Sequence, residues 1–572
     1  MNFLNIFRLH RVTFAMIVAL VTCIGISFGM AVTFGYAPSD DLFLVVQNLA
    51  IRGPTFQNIK TVFSTYDPEL YIPLTFVSYQ IDYLVGGLNP SIFHLSNILI
   101  HSLNSILIFW IFFRITKHRT AAFFASLIFA IHPINTESVV WISARKDLLS
   151  TFFFLLTFSS YLAYSRAKDK RYYLLSMIIF VLALLSKVMV VTLPAILIIY
   201  DYLIDNRRGI KKIIIEKLPF IILSIIFIII ALGGKERVVS VLSIQEMAML
   251  ASKSTLFYVQ KIFIPVGLTI IYPFNEAITI GTFFPYIIGI LLMIGGGIFA
   301  IKKSPLIAFG LLWFALTLVP TFSNASKAGF IFFAVDRYAY VPSIGIFLIV
   351  AFVFSKLNCK SKILIGSLVS ISLVLGLLSI SQTRTWVDSE HLYNHAIDVY
   401  PESVPARASL TRILRESGEY EEAFAVLKEG LPFEDHPVMH LGAGYIYARV
   451  GQVPEARNQF VLARKMDMES AEPVFSLGSL EEQIGNTSLA QKYYKEAIDL
   501  DPSYVIARVK LASILYDSGN LLDAKEQIEL ALEWNSNSIQ AHELLAQILK
   551  EEGDNKGSDT HSEIAKKLSV GI

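Results

Sequence analysis

Apolar positions along residues 1–383 do not alternate with polar ones; they run in long, nearly unbroken stretches of the length needed to cross a bilayer, ~20 residues. Such stretches fall at 12–34, 93–113, 120–140, 148–165, 172–187, 188–204, 218–233, 283–301, 305–322, 338–355 and 363–382, predicting about 11 spans. Several are short or divided only by a tight turn. After residue 383 the long runs stop, and apolar residues recur at helical spacing between polar ones. The expectation is an all-α chain in two parts: a polytopic membrane helix bundle at 1–383 and a helical domain at 384–572.

Internal repetition defines the second part. Gly418, Gly451, Gly485, Gly519 and Gly553 are spaced by 33, 34, 34 and 34 residues. Ala423, Ala456, Ala490 and Ala524 each follow their glycine by 5, and Ala463, Ala497 and Ala531 recur at 34. This is the tetratricopeptide period: the glycine sits in the turn between two antiparallel helices, and the alanines lie where those helices approach closely. Such arrays stack into an α-solenoid with a concave groove that takes a peptide or protein, or that serves only as a spacer.

Composition sharpens the division. The chain is 54% hydrophobic and only 16% charged, against roughly 25% charged in soluble domains. Residues 1–383 hold 30 basic and 15 acidic residues (+15), and residues 384–572 hold 18 and 31 (−13). The overall +2 is therefore a cancellation. A single soluble globule, a disordered chain and a disulfide scaffold are excluded, and nothing points to nucleic acid. Cys23 falls in a span and Cys359 in a loop, leaving the repeat domain without a disulfide.

Lys/Arg asymmetry orients the bundle. With the N-terminus cytoplasmic, 19 basic residues lie in inner segments, including Arg8 and Arg11, Arg114 to Arg119, Arg166 to Arg171, Arg207 to Lys217 and Lys356 to Lys362; the other 11 spread over outer loops. An odd number of spans then places the repeats outside the cytoplasm. The expected location is a bacterial inner membrane, or the endoplasmic reticulum in a eukaryote.

Polar residues at membrane depth need a reason. His94, Asn97, His101 and Asn104 share one face of the second span. Interhelical hydrogen bonding is the favoured reading, with substrate contact the alternative. Asp40 and Asp41 lie just beyond the first span, as a general base and its neighbour or as a solvated helix cap. The outer boundary also gathers His132, Glu137, Arg145, Lys146, Lys187, Asp336 and Arg337. Cations there suit a phosphate leaving group, while a carboxylate accepts a proton from an attacking hydroxyl. No Gly-rich phosphate loop, zinc-ligand spacing or nucleophile elbow is present.

These residues sit in recognisable stretches: Tyr71-Ile-Pro-Leu-Thr-Phe-Val-Ser78, Gly87-Leu-Asn-Pro90 with Phe93 and His94, His132-Pro-Ile-Asn-Thr-Glu137, and Ala144-Arg-Lys-Asp-Leu-Leu149. To these add Leu184-Leu-Ser-Lys187, Tyr272-Pro-Phe274 and Asp336-Arg-Tyr-Ala-Tyr-Val-Pro-Ser-Ile-Gly345. Together they resemble the transmembrane and tetratricopeptide-repeat O-mannosyltransferases and their bacterial relatives, over nearly the whole chain. Such proteins are similar to the C-type glycosyltransferases, multispanning enzymes that use polyprenyl-phosphate sugars at the outer membrane face. The resemblance implies that the acidic pair Asp40 and Asp41 acts in catalysis. One departure is Ile72, where eukaryotic members often carry Arg.

The expected function is transfer of a sugar, such as mannose, from a polyprenyl phosphate to Ser/Thr hydroxyls of an exported protein. Asp40 or Asp41 is the expected base; Arg145, Lys146, Lys187 and Arg337 are the expected phosphate contacts; His94, His132, Glu137 and Asp336 support them. The expected partners are the lipid-linked donor, an acceptor protein in the repeat groove and membrane lipid. No cofactor is expected, and the need for a divalent metal stays open. Two alternatives remain: transfer to a lipid or cell-surface glycan, and a non-catalytic membrane scaffold presenting the repeats.

Overall fold

In a computed structural model of the chain, the described residues are 3–37, 40–66, 70–234, 242–274, 278–327, 330–357, 361–430, 436–535 and 537–570. Cys359 lies outside them. The chain is almost wholly helical and divides into two compact units, Met1–Val399 and Tyr400–Ile572.

The first unit is a multi-pass membrane bundle. Among the described residues, eight helices are long and apolar enough to cross a membrane: Arg11–Thr33, Pro90–Thr116, Ile142–Ala167, Ile210–Gly234, Ile280–Lys303, Pro305–Asn324, Asp336–Lys356 and Lys362–Arg384. A ninth is formed if Arg119–Ala130 and Pro133–Val140, bent by 52°, count as one span. Eleven were expected from hydropathy, and the difference has a local cause. The stretch at 188–204 is broken into a 3₁₀ turn, a helix of 7 residues and a π turn, with Pro194 withholding a backbone donor. The helix at Lys170–Ser186 has only 17 residues and ends where Lys187 turns extended. Hydropathy cannot separate a crossing helix from a broken apolar one of similar composition.

Burial ranks the spans. The helix Ile142–Ala167 is 67% buried over its apolar window and forms the centre, whereas Ile280–Lys303 is 6% buried and presents its side chains outward. Within the bundle, Pro305–Leu318 meets Tyr340–Lys356 at Gly310 and Gly345. A Cβ on Gly310 would stand 2.6 Å from the Gly345 carbonyl oxygen, so the two backbones approach as only glycine permits. A small antiparallel sheet, which hydropathy did not foretell, pairs Tyr272–Pro273 and Ser326–Lys327 with Phe330–Ala334. It leads directly into the turn that carries Asp336 and Arg337.

In the second unit five helix pairs follow one another: Val404–Ser417 with Tyr420–Gly430, Pro437–Arg449 with Val453–Met466, Ala471–Gln483 with Thr487–Leu500, Val505–Asp517 with Leu521–Trp534, and Ile539–Glu551 with Asn555–Val570. The turn glycines take φ of 89°, 79°, 82°, 81° and 87° from Gly418 to Gly553. That left-handed conformation ends each first helix and is why the glycine recurs. The repeat alanines from Ala423 to Ala531 are all 0% exposed.

Candidate functional site

The site is built on the segment from Ile131 to Ser150, every residue of which is buried. Pro133 starts a 3₁₀ turn, and the His132 ring caps it by accepting the Ile134 N–H at Nδ1 (3.2 Å). His132 Nε2 then lies 3.0 Å from the Ile262 carbonyl, which makes this histidine a neutral brace for the turn. A short helix, Thr136–Val140, and a second 3₁₀ turn, Ile142–Ala144, reverse the chain before the central span begins at Arg145. The result places Glu137, Trp141, Ser143, Arg145, Lys146 and Asp147 on one compact knot.

Asp40 and Asp41 start the turn beyond the first span, and they differ sharply. Asp41 is 1% exposed. Its Oδ1 accepts the Ser143 N–H (2.9 Å) and hydroxyl, and its Oδ2 accepts the Ala37 N–H (2.9 Å). Burial pushes the Asp41 carboxyl up to about 6, against these hydrogen bonds, which hold it down. Asp40 is partly exposed and pairs with Lys146 at 3.7 Å.

Three cations share one neighbourhood. Lys146 feels the charges of Asp40, Lys187, Arg337 and Asp147. Lys187 bonds Asp147 at 2.5 Å and lies 5.6 Å from the Tyr338 ring centre. Arg337 pairs with Glu137 by its side chain and, through its backbone N–H, at 2.9 Å. The Trp141 ring is shared by two of them, with Arg337 at 4.9 Å and Lys146 at 5.8 Å from its centre. Asp336 faces elsewhere: it accepts the Tyr272 hydroxyl at 2.7 Å and ties the turn to the small sheet.

Arg145, expected as a phosphate contact, is engaged within the protein. It pairs with Asp82, donates to Asn97 Oδ1 (2.7 Å) and to the Phe93 carbonyl (2.6 Å), and stacks on Tyr79 at 4.8 Å. With 1% exposure and each of its three nitrogens bonded within the protein, it forms a buried structural pair rather than a surface for a ligand. The polar stripe of the second long span is likewise mostly internal. Asn97 donates to the Trp141 carbonyl (3.0 Å), His101 bridges Tyr340 and the Ala130 carbonyl (2.7 and 2.8 Å), and Asn104 reaches Leu148 and Tyr340. His94, at its outer end, contacts the Gly35 carbonyl through Nε2 at 3.2 Å.

Asp82, Ser143 and Trp141 were not singled out by sequence reasoning, and Asp147 was noted only as a neighbour of Arg145 and Lys146. Their partners are remote in the chain, 63 residues away for Asp82 and 102 for Ser143; only the adjacency of Asp147 to Lys146 offered a signal. Among the described residues, no three His, Cys, Asp or Glu side chains converge as a metal ion requires.

The family profile described as dolichyl-phosphate-mannose-protein mannosyltransferase matches residues 83–233, and a tetratricopeptide-repeat profile matches residues 484–548. The chain is 23% identical over 543 residues to the human protein O-mannosyl-transferase TMTC3, covering 82% of this chain and 58% of that protein. It is 24% identical over 421 residues to a protein O-mannosyl-transferase of Caenorhabditis elegans, covering 67% and 58%. A shorter match to human TMTC4 is 33% identical, over 25% of this chain and 22% of that one. The chain thus spans little more than half the length of the long-matching relatives. Among solved structures, the repeats are similar to YrrB, a repeat protein with an unusual peptide-binding site (20% identity, 31% of this chain and 91% of that one, TM-score 0.24). They are also similar to MamA (21% identity, 28% and 95%, TM-score 0.25). The resemblance read from the motifs, to multispanning O-mannosyltransferases that carry tetratricopeptide repeats, is matched in both halves of the chain.

Proposed function

We propose that this membrane protein is a glycosyltransferase that moves a sugar, mannose by analogy with the named relatives, from a polyprenyl phosphate to Ser/Thr hydroxyls of exported polypeptides. One observation carries the reading: three cations, Lys146, Lys187 and Arg337, share one neighbourhood, two of them against the Trp141 ring, and Ser143, two residues from Trp141, holds the buried carboxylate of Asp41. In this reading Asp41 accepts the proton of the acceptor hydroxyl as its oxygen attacks the anomeric carbon. The carbon–oxygen bond to phosphate breaks, and polyprenyl phosphate leaves with the bonding electron pair. Lys146, Lys187 and Arg337 stabilise the charge that develops on it. Asp40 orients Lys146, Glu137 orients Arg337, and Arg145 with Asp82 braces the knot. Single displacement inverts the anomeric configuration.

With the bent pair counted as a ninth span, the odd count and the excess of Lys and Arg in alternate loops support an orientation with this site and the repeats outside the cytoplasm, in a bacterial inner membrane or the endoplasmic reticulum. The repeats recruit the acceptor. The test is transfer by purified protein from polyprenyl-phosphate mannose to Ser/Thr-containing polypeptides, read by mass spectrometry. Formation of an O-linked hexose by wild type, and its loss in Asp41→Asn, is the expected result. Absence of transfer to any polypeptide or glycan would leave the scaffold reading in its place.

A further inference from the structure

A narrow cleft, open to solvent at its mouth, lies against Asp41. Its walls include Gly35, Tyr36, His94, Trp141 and Trp386. We propose that this cleft is the acceptor subsite, and that Trp386 positions the polypeptide whose hydroxyl Asp41 deprotonates. The inference rests on the transferase reading and assigns a place and a residue that reading leaves open.

Charge decides which substrate the cleft takes. No Lys or Arg is among its lining residues, whereas two carboxylates, Asp41 and Asp388, are. A phosphate would meet like charge there, so the lipid-linked donor belongs with Lys146, Lys187 and Arg337. A neutral or basic polypeptide meets no such penalty. Trp141 is the element common to both: Arg337 and Lys146 contact its ring, and so does Trp386, with ring centres 6.2 Å apart and planes inclined by 33°. A hydroxyl in the cleft and a sugar phosphate on the cations therefore meet beside one indole, within reach of Asp41.

The walls suit a polypeptide. The paired indoles, both largely buried, give the cleft a rigid apolar wall with few rotamers to freeze. The Trp141 Nε1–H is buried and finds no acceptor among the described residues; a backbone carbonyl of a bound segment is the kind of group that completes it. Among the described residues Asp41 Oδ2 accepts the Ala37 N–H alone, leaving a lone pair for the substrate proton. His94, by holding the Gly35 carbonyl, fixes the loop that supplies that Ala37 donor. Trp386 is itself well seated, just after the last span. Its N–H bonds the Thr383 carbonyl (3.1 Å), and the Thr383 hydroxyl bonds the Ser27 carbonyl on the first span (3.3 Å).

The experiment measures two reactions of the full chain with polyprenyl-phosphate mannose: transfer to a Ser/Thr peptide, and hydrolysis of the donor by water. Trp386→Ala should raise the acceptor KM by about tenfold while leaving donor KM and hydrolysis unchanged; Trp386→Phe should recover most of the loss. Ser389→Trp, at the edge of the same cleft, should raise acceptor KM without removing a packed side chain. Unchanged acceptor KM in both Trp386→Ala and Ser389→Trp would overturn the subsite. Parallel loss of donor hydrolysis in both would overturn it too, by making Trp386 a purely structural residue. If wild type transfers only to a glycan, the polypeptide acceptor falls; if it transfers to nothing, the transferase reading itself falls, which is a distinct outcome.

Discussion

Asp40 and Asp41 are chain neighbours with opposite surroundings, and under the proposed mechanism that contrast predicts different roles. Asp41 is enclosed and accepts three hydrogen bonds, whereas Asp40 is partly exposed against Lys146. Asp41→Asn keeps the shape and removes the proton acceptor, so turnover should fall by roughly 10²–10⁴; Asp40→Asn should act mainly on donor KM. The Asp41 carboxyl, raised to about 6 by burial, must be ionised to act as base. Transfer by wild type should therefore decline as pH falls through about 6, an acid limb read from kcat/KM profiles. Stability runs the other way. The folded chain binds this proton more tightly than the unfolded one, so this group favours folding at low pH, and that contribution is lost as pH rises through about 6. Arg145 belongs to a different class of residue. Removing one partner of its buried pair with Asp82 leaves an uncompensated charge, a cost of about 3–5 kcal/mol. Arg145→Ala should lower the melting temperature in detergent, with yield lost before any change in donor KM can be seen. The type and spacing of Arg145-Lys146-Asp147 were legible in the sequence, but their partition was not. Which cation meets a ligand and which meets Asp82 depends on a contact 63 residues away.

Elements show the same division between what periodicity carries and what packing decides. The repeat glycines were readable because one backbone requirement, φ near +80° at each turn, recurs at a fixed interval. Gly485→Ala should cost about 1–2 kcal/mol for the left-handed conformation, measured by denaturation of the full chain. The polar stripe His94, Asn97, His101 and Asn104 was readable as inward-facing, since hydrocarbon penalises any other orientation; these four are 3%, 0%, 0% and 0% exposed. The broken segment at 188–204 was not readable, because its apolar composition matches that of a span. Nor was the meeting of Gly310 and Gly345, which two glycines 35 residues apart do not announce. A Cβ on Gly345 would clash with the Gly310 carbonyl and stand 3.0 Å from the Phe314 nitrogen, backbone atoms that cannot swing aside. Gly345→Ala should push the two helices apart at about 1–3 kcal/mol. The helix concerned begins next to Arg337, so donor KM should rise along with the loss of thermal stability.

At the scale of the molecule, the chain joins two units with opposite charge and different solvents. The membrane unit contains every residue of the proposed chemistry, from Asp41 to Trp386, within Met1–Val399. The repeat unit, Tyr400–Ile572, contains none of it and has its own alanine-lined cores. If recruitment and chemistry are divided this way, removing residues 400–572 should spare donor hydrolysis and transfer to a short Ser/Thr peptide. Modification of a folded protein acceptor should fall much further, because the repeats supply binding at a second point and thereby raise the effective concentration of the acceptor at the cleft. The comparison to make is kcat/KM for peptide and for protein acceptor, in the full chain and the truncated one, with the expected drop confined to the protein. Equal loss on both acceptors would mean that the repeats act on the membrane unit itself rather than on the substrate. A topology reporter fused after residue 572 completes the test. Activity only in the cytoplasm would set the repeats on the opposite side from exported acceptors, and recruitment by this groove would then have no substrate to act on.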